Sequence, residues 1–513
     1  MKWLAITIST LFMQTAVAQE SQHATTSAPI PVPVSTSVSA TSDVHQLSHY
    51  LTTSYPSLQY VARYHAAFPE DAQGIVFPWK DNETPTAFKS AESLIDALSS
   101  LKDQHVAVSA VGSGSETLGV LFRSASDGGL IVWRIVDPAL TSLAVDETVL
   151  TINGVSSADW LKLMAARTFG GNLRSRMAEA ALQLALGSKL QHQAYQLSNA
   201  VSLTVRDAKG QVRTVILTYK KMDQDMAGRV AGAANQPDLP ARFRAGKYRF
   251  ASIRFGAFAP QFDPAFIEAD EAATKAGKTE EEAMLAGFCG LVRDQIERHD
   301  RLGQPYDYLL VDLRGNLGGY GREARLLTEA IAHGPLPRSL DITRGSKPDT
   351  LKVVQQVTDP TCGHIKGAPK VVAWVDAGTR SSGELMAAWL WSSGALVVGE
   401  RTIGAGGGRD AHSKGVTLGS SGYRVLASEN FTFFDQSYTL QEGEVSESAL
   451  LEQVAADQFA PSRKRPFAIQ SVGVRPDIAQ KTQLSDLKGG GLKGLLHILN
   501  SNMSVFELWA KQK

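Results

Sequence analysis

The stretch Tyr306-Asp-Tyr-Leu-Leu-Val-Asp-Leu-Arg-Gly-Asn-Leu-Gly-Gly-Tyr-Gly321 decides the fold class of this chain. Its apolar run has the composition of a buried strand, and it breaks into a glycine-rich turn where that strand should end. Because glycine has no side chain to cover the backbone, such a turn can direct bare N–H groups at an anionic reaction centre. The stretch therefore predicts a turn at the end of a strand, here called a strand exit, whose backbone N–H groups can bind an anion.

A second strand exit follows further along the chain and carries different chemistry. Val371-Val-Ala-Trp-Val375 has the composition of a strand, and Thr379-Arg-Ser-Ser-Gly-Glu384 then opens a helix. A serine at such a junction presents its hydroxyl beside the unpaired N–H groups of the first helical turn. One strand exit supplies backbone N–H groups and the other supplies a serine hydroxyl. Together they favour acyl transfer as the reaction.

Predicted strands alternate with predicted helices around both exits, which indicates an α/β core at residues 245–480. The predicted strands are Arg249–Phe255, Tyr308–Leu313, Val371–Val375 and Ala395–Gly399, and the predicted helices are Glu280–Arg298, Glu323–His333 and Glu384–Trp391. In the tail at residues 481–513, the amphipathic stretch Leu492–Trp509 predicts a docking helix.

The N-terminal residues have the composition of a targeting segment. Residues 1–18 contain Lys2, then an apolar run and the small-residue site Ala16-Val17-Ala18, which is typical of a secretory signal peptide cleaved before Gln19. Residues 19–43 form a Ser/Thr/Pro-rich leader that we predict to be disordered. No other run is long enough to cross a bilayer, so we expect an exported protein, periplasmic or extracellular.

Residues 44–105 and 106–223 differ in their predicted secondary structure. The first range is a predicted helical segment, and His105 lies just past its last helix. The second range is β-rich, with a helical insert at Leu173–Ala194 and a hairpin turn at Lys209-Gly210. Its predicted strands are Leu118–Phe122, Leu130–Val136, Thr148–Gly154, Val201–Val205 and Val212–Tyr219.

Length, charge and cysteine content exclude several classes of protein. A chain of 513 residues is too long for one ordinary core, so we expect more than one domain. Lys+Arg and Asp+Glu are both 51, and zero formal charge gives no overall attraction for nucleic acid or an anionic membrane. Two cysteines, Cys289 and Cys362, exclude a disulfide-rich scaffold but leave one bridge open. The sequence has no zinc or nucleotide motif, so we expect no metal and no cofactor.

Three features of the core, together with His105, resemble the tail-specific (C-terminal-processing) serine peptidase superfamily, and most of all its tricorn-like branch with the chlamydial protease-like activity factor. The matching stretches are Val311-Asp-Leu-Arg-Gly-Asn-Leu-Gly-Gly319, Thr379-Arg-Ser-Ser-Gly-Glu384 with Val398-Gly-Glu-Arg-Thr-Ile-Gly404, and Val472-Gly-Val-Arg-Pro-Asp-Ile478. The resemblance implies a multidomain α/β (α+β) protein with a crotonase-like ββα-spiral catalytic core. The β-rich range is similar in its strand order to a PDZ module, which binds a peptide C-terminus as an added strand. A plain β-sandwich spacer is the alternative.

The resemblance assigns the nucleophile to Ser381, the first serine of the pattern Ser-x-x-Glu. The amide of Ser382 and an amide of Gly318 or Gly319 would then hold the oxyanion. The same pattern, ending at Glu384, is also an ordinary helix capping box, which would give the serine a structural role only.

A serine hydroxyl needs a base, and the resemblance offers a histidine. The tail-specific branch uses a lysine in a Gly-Glu-x-Thr-x-Gly-Lys segment, where this chain has Ala405. The tricorn-like branch uses a histidine in a Leu-x-Asp-x-His context, which Leu101-Lys-Asp-Gln-His105 matches. Imidazole can exchange a proton near neutral pH. His412 and Lys414 are the alternative bases.

The third member of the pattern, a glutamate before Gly-Val-x-Pro-Asp, falls at about Gln470. The amide oxygen of Gln470 could accept a hydrogen bond from His105 Nδ1, but it carries no charge to offset an imidazolium. Replacing the acid of a Ser-His-Asp protease by its amide can cost about 10⁴ in turnover. Glu429 is the alternative orienting carboxylate.

Together these residues imply an exported serine endopeptidase that hydrolyses protein or peptide substrates through a Ser-His acyl-enzyme mechanism. Ala405 and Gln470 keep a second hypothesis open, a catalytically weak or inactive peptide- or lipid-binding protein on the same scaffold. An esterase that uses the same machinery is the third hypothesis.

Overall fold

A computed structural model describes residues 42–67, 87–110, 114–303, 306–347, 349–356, 359–365, 369–409, 413, 415–455 and 466–511. The predicted signal peptide and nearly all of the predicted leader lie outside these ranges, as do the alternative bases His412 and Lys414. In these ranges, no helix combines the length and the apolar character that a membrane span requires.

The chain folds as a mixed α/β protein with several sheets, and its central sheet is mostly parallel. The strands of this sheet are, in spatial order, Arg242–Ala245, Tyr248–Arg254, Tyr308–Asp312, Lys370–Val375, Leu396–Gly399 and Ile478–Ala479. Only the first two pair in antiparallel fashion. The four strands predicted for the core are confirmed, with ends that shift by a residue or so.

The central sheet is covered on both faces, which explains why its strands are continuously apolar. Helices Glu280–Arg301, Gly321–Ile331 and Ser382–Ser392 pack against one face, and the predicted core helices are thereby confirmed. The predicted docking helix is instead two helices, Leu492–Ser501 and Met503–Lys511, and they pack against the opposite face. Alternate residues of one strand, such as Leu309 and Leu310, point to the two faces.

A second, antiparallel sheet of the C-terminal half was not predicted from the sequence. Its strands are Gly407–Gly408, Asn430–Asp435, Arg338–Arg344, Thr350–Gln355 and Gly443–Ser446 in spatial order, and Phe467–Ala468 also pairs with Asn430–Asp435. Cys289 and Cys362 form a disulfide, so the one bridge that the sequence left open is present.

The five strands predicted for the β-rich range are present, and they form one antiparallel sheet. Its strands are Val120–Ser124, Leu130–Ile135, Thr148–Ile152, Ala200–Arg206 and Val212–Thr218, with Val155–Ser156 at the side. The predicted insert consists of two helices, Leu173–Ala185 and Lys189–Ala194, separated by the strand Leu186–Ser188. That strand pairs with Ser115–Thr117, which in turn pairs with Lys220–Lys221.

The remaining elements connect these sheets. The further helices are Asp43–Ser54, Leu58–Ala67, Ala91–Ser99, Ser157–Ala165, Gln224–Asn235, Pro264–Lys275, Glu447–Ala455 and Leu484–Leu487, with 3₁₀ turns at Pro260–Phe262 and Lys488–Gly491. The further strands are Ala107–Ala110, Val416–Thr417 and Tyr423–Leu426.

One long-range pairing ties the N-terminal segment to the C-terminal half of the chain. Ala107–Ala110 pairs in antiparallel fashion with Tyr423–Leu426, and Ala107 lies opposite Leu426. Because His105 lies two residues before the first of these strands, the pairing brings the segment that carries His105 to the C-terminal half of the chain.

Candidate active site

Ser381 occupies a sharp turn between a central strand and a helix. The helix Ser382–Ser392 starts directly after it, and the backbone of Ser381 has φ 50° and ψ −125°. A positive φ is uncommon outside glycine, and such strained strand-to-helix turns expose the nucleophile of many hydrolases. Glu384 accepts a hydrogen bond from the Ser381 amide, as in a capping box, and Ser381 Oγ lies 3.1 Å from His105 Nε2. The structure therefore brings together the predicted nucleophile and the predicted base.

The two predicted oxyanion segments meet at this turn. Ser382 Oγ donates a hydrogen bond to the carbonyl oxygen of Gly319 at 2.7 Å, which joins the two strand exits. Gly318 has φ 82°, and a β-carbon added there would lie 2.7 Å from Ser381 Cβ. Only glycine therefore allows this close approach.

The three predicted oxyanion amides are not equivalent. The Gly318 N–H donates to Asn316 Oδ1 at 2.7 Å, so it is already engaged. Within the described part of the chain, the amides of Gly319 and Ser382 have no acceptor. These two amides are therefore the pair available to an oxyanion.

The Glu384 carboxylate holds in place the turn that carries Ser381. Its carboxylate accepts hydrogen bonds from four donors, namely Ser381 N (3.2 Å), Thr402 Oγ1, Gly404 N (2.7 Å) and Ala405 N (2.7 Å). Burial raises the pKa of Glu384 to about 7, although these hydrogen bonds oppose the rise. Glu384 thus ties the segment that ends at Ala405 to the backbone of Ser381.

The structure does not show the predicted hydrogen bond between Gln470 and His105. Gln470 is fully buried and its side chain interacts with Tyr55, and within the described residues His105 Nδ1 makes no hydrogen bond of ordinary length and angle. The alternative carboxylate, Glu429, accepts a hydrogen bond from Ser413 Oγ at 2.6 Å.

The carboxylate beside His105 belongs to Asp103, which sequence reasoning missed as a site residue. Asp103 Oδ1 accepts a hydrogen bond from the His105 amide at 2.9 Å and lies 3.7 Å from His105 Nδ1. Burial raises the pKa of Asp103, but the hydrogen bond and charge of His105 outweigh burial, so the pKa lies below its usual value. The signal was present in the Leu-x-Asp-x-His stretch, where only the histidine was given a role.

Comparisons with known proteins agree with this geometry. Residues 290–479, which include Ser381 and both exits, match the family model of Peptidase family S41. Mature CPAF complexed with lactacystin has a similar fold, with a TM-score of 0.56 at 15% identity over 93% of this chain and 100% of that chain. Another structure of mature CPAF gives a TM-score of 0.54 at 14% identity over 91% and 99% of the two chains. No curated protein sequence matches the chain.

The match to Peptidase family S41 identifies a serine-type peptidase domain at residues 290–479. The resemblance to the tail-specific serine peptidase superfamily that was stated from the sequence is confirmed. His105 lies outside the matched residues, because the N-terminal segment supplies it.

Proposed function

We propose that this protein is an exported serine endopeptidase that cleaves peptide bonds with Ser381 as nucleophile and His105 as general base. The observation that carries the proposal is the 3.1 Å separation of Ser381 Oγ and His105 Nε2 across a sequence separation of 276 residues. This distance is within the reach that proton transfer requires.

The proposed reaction follows from the atoms that surround Ser381. As Ser381 Oγ attacks the scissile carbonyl carbon, its proton moves to His105 Nε2 and the carbonyl oxygen becomes an oxyanion. The amides of Gly319 and Ser382 would donate hydrogen bonds to that oxygen. His105 then gives the proton to the leaving amine, and a water molecule that His105 activates hydrolyses the acyl-enzyme.

The proposal extends to the architecture around the site. The strand order and helices of the β-rich sheet support a PDZ-like module that would hold a peptide next to the core. The two sheets of the C-terminal half, with helices on both faces of the mostly parallel sheet, support a crotonase-like ββα core.

A specific observation keeps the binding-protein hypothesis as the second candidate. Gln470, at the position where the resemblance places the superfamily's acid, carries no charge, and its side chain interacts with Tyr55. A scaffold that lost its acid would retain a peptide or lipid site without turnover, since a neutral amide stabilises an imidazolium poorly.

A fluorophosphonate probe tests the proposal. We expect the mature protein to be labelled at Ser381 and to cleave an unfolded polypeptide, and Ser381→Ala to lose both activities. Ser393→Ala is the matched control, because Ser393 caps the other end of the same helix and its hydroxyl only contacts Leu390 O.

Each result discriminates among the hypotheses. Labelling with cleavage of small esters but not of polypeptide indicates the esterase. Peptide or lipid binding without labelling indicates the binding protein, and equal labelling of wild type and Ser381→Ala contradicts the proposed nucleophile. Mass spectrometry of the secreted protein tests export, for which we expect an N-terminus at Gln19.

A further inference from the structure

Asp103 is fully buried and is the carboxylate beside the His105 imidazole, whose Nε2 faces Ser381. The hydroxyl groups of Tyr55 and Ser428 interact with Asp103, and Gln470 interacts with Tyr55. In the described part of the chain, His105 Nδ1 makes no hydrogen bond of ordinary length and angle. Buried polar groups are normally hydrogen-bonded, so a carboxylate and an imidazole nitrogen this close without a short contact call for a functional explanation.

We propose that Asp103 supplies the carboxylate that orients His105 and stabilises its imidazolium. Asp103 would thereby replace the glutamate of the superfamily pattern, whose position is occupied by Gln470 in this chain. This inference rests on the proposed Ser381–His105 mechanism and adds a third residue to it. Asp103 is a positioning residue, because it acts on the substrate only through His105.

The geometry supports Asp103 over the other candidates. Asp103 Oδ1 is held in place by the His105 amide at 2.9 Å and lies 3.7 Å from His105 Nδ1. That gap exceeds a hydrogen bond by about half an ångström, and catalytic hydrogen bonds are often long without substrate and shorten when it binds. A small rotation of the imidazole would pair Nδ1 with Asp103. By contrast, Glu429 is committed to Ser413.

The charged groups around Asp103 favour its ionised form, which gives His105 an anionic neighbour. Asp103 is fully buried, and the ionisable groups that act on it are His105 on its own segment, Tyr55 and Arg409. Burial and the charge of Asp103 raise the pKa of Tyr55 well above its usual value, so Tyr55 stays neutral. The positive charge of Arg409 favours ionised Asp103.

The proposed step moves one proton and leaves Asp103 ionised throughout. When Ser381 Oγ bonds to the carbonyl carbon, the hydroxyl proton passes to His105 Nε2. The imidazolium then carries hydrogens on both nitrogens, and Nδ1–H donates to the Asp103 carboxylate. The charge pair stabilises the imidazolium without transfer of the second proton.

The decisive experiment measures the rate of fluorophosphonate labelling against pH in Asp103→Asn. Asparagine keeps the oxygen that accepts from the His105 amide, so the turn should survive while the charge is lost. We expect labelling to slow by at least tenfold and up to about 10⁴-fold. The pH midpoint should move to lower pH, because the uncharged amide stabilises the imidazolium less. Ser393→Ala, whose hydroxyl donates to Leu390 O at the far end of the helix that follows Ser381, is the control that should keep the midpoint.

Introducing a carboxylate at position 470 gives a second test of the inference. Gln470→Glu in the Asp103→Asn background should recover part of the rate and move the midpoint back. A folded Asp103→Asn variant with an unchanged midpoint would overturn the inference, whatever its rate, since a merely structural role would not shift the titration.

A second measurement covers the case in which Asp103→Asn does not fold. In the wild-type protein labelled at Ser381, we expect a strongly downfield imidazole N–H proton resonance at low pH from His105 Nδ1–H. Its absence from labelled, folded protein would overturn the role of Asp103. Absence of labelling in the wild type would instead contradict the proposed function itself, so the two failures are distinguishable.

Discussion

The two strand exits of the central sheet carry the same residue at the same helical position, in opposite environments. Glu323 and Glu384 are each the third residue of the helix that follows the exit, and both are buried. Glu384 accepts four hydrogen bonds. Glu323 Oε2 has no partner, and its side chain lines a cavity of about 450 Å³.

The difference shows that a buried acid at a helix start stabilises a turn only when donors surround it. An unpaired buried carboxyl costs free energy, whereas one that is fully hydrogen-bonded holds its neighbours in place. At the serine exit, the donors come from the segment Thr402–Ala405 and from Ser381 itself. At the glycine exit, the turn is held instead by backbone contacts such as Phe258 N to Gly318 O at 2.9 Å.

The largest expected effect comes from Gly318→Ala at the glycine exit. The added methyl would collide with Ser381 Cβ at 2.7 Å and displace the nucleophile from the Gly319 and Ser382 amides. We expect labelling of Ser381 to fall by about 10²–10³-fold, the usual loss when an oxyanion site is disrupted.

A matched glycine separates this contact from the backbone penalty. Gly210 has nearly the same φ, 85° against 82°, but nothing lies within 4 Å of its added β-carbon. Gly210→Ala should cost about 1 kcal/mol of unfolding free energy and leave labelling unchanged. Equal labelling rates in the two variants would mean that the approach of Gly318 to Ser381 has no role.

Glu384→Gln tests the serine exit. One carboxylate oxygen becomes an NH₂ group that faces two N–H or O–H donors, so two hydrogen bonds are lost and the groups repel. We expect the free energy of unfolding in urea to fall by about 3 kcal/mol, with slower labelling because Ser381 N loses its acceptor. An unchanged free energy of unfolding in Glu384→Gln would show that the four hydrogen bonds to Glu384 do not stabilise the fold.

The central sheet could be predicted because its strands are buried on both faces and therefore read as continuous apolar runs. The second sheet was missed since Arg338–Arg344 and Thr350–Gln355 mix polar and apolar residues, and their pairing partners lie far away in the sequence. No local pattern specifies such non-local pairs.

The residues of the candidate site also lie far apart in the sequence, which decided which of them could be predicted. Ser381 and His105 were identified from a resemblance, because long-range contacts bring them together and no local pattern predicts such contacts. One is the pairing of Ala107–Ala110 with Tyr423–Leu426, and another is the hydrogen bond from Ser471 Oγ to Lys102 O at 3.2 Å. Gln470 was chosen by position in a motif. Asp103 was missed because the Leu-x-Asp-x-His stretch was used only to assign the histidine, and the burial of Asp103 beside the imidazole is visible only in the folded chain.

Val425→Ala tests whether that strand pairing also sets the position of the base. Val425 is fully buried and lies opposite Val108. Removing its two methyl groups should lower the free energy of unfolding by about 2 kcal/mol. Because the partner strand follows His105, labelling of Ser381 should slow as well. Val201→Ala, at an equally buried site in the β-rich sheet, should lower stability to a similar extent and leave the labelling rate of the folded protein unchanged.

Glu323→Gln gives the smallest effect and the opposite sign to Glu384→Gln. Burial and then the nearby Asp263 raise the pKa of Glu323 well above its usual 4.5. An acid whose pKa is higher in the folded state contributes stability below its unfolded pKa and loses it as pH rises toward the folded pKa. Glutamine stays neutral at every pH, so the variant should match wild type near pH 4 and exceed it by about 1–2 kcal/mol at pH 8. Urea unfolding at both pH values measures this, and a variant less stable than wild type at pH 8 would show that Glu323, like Glu384, has a partner that holds its exit.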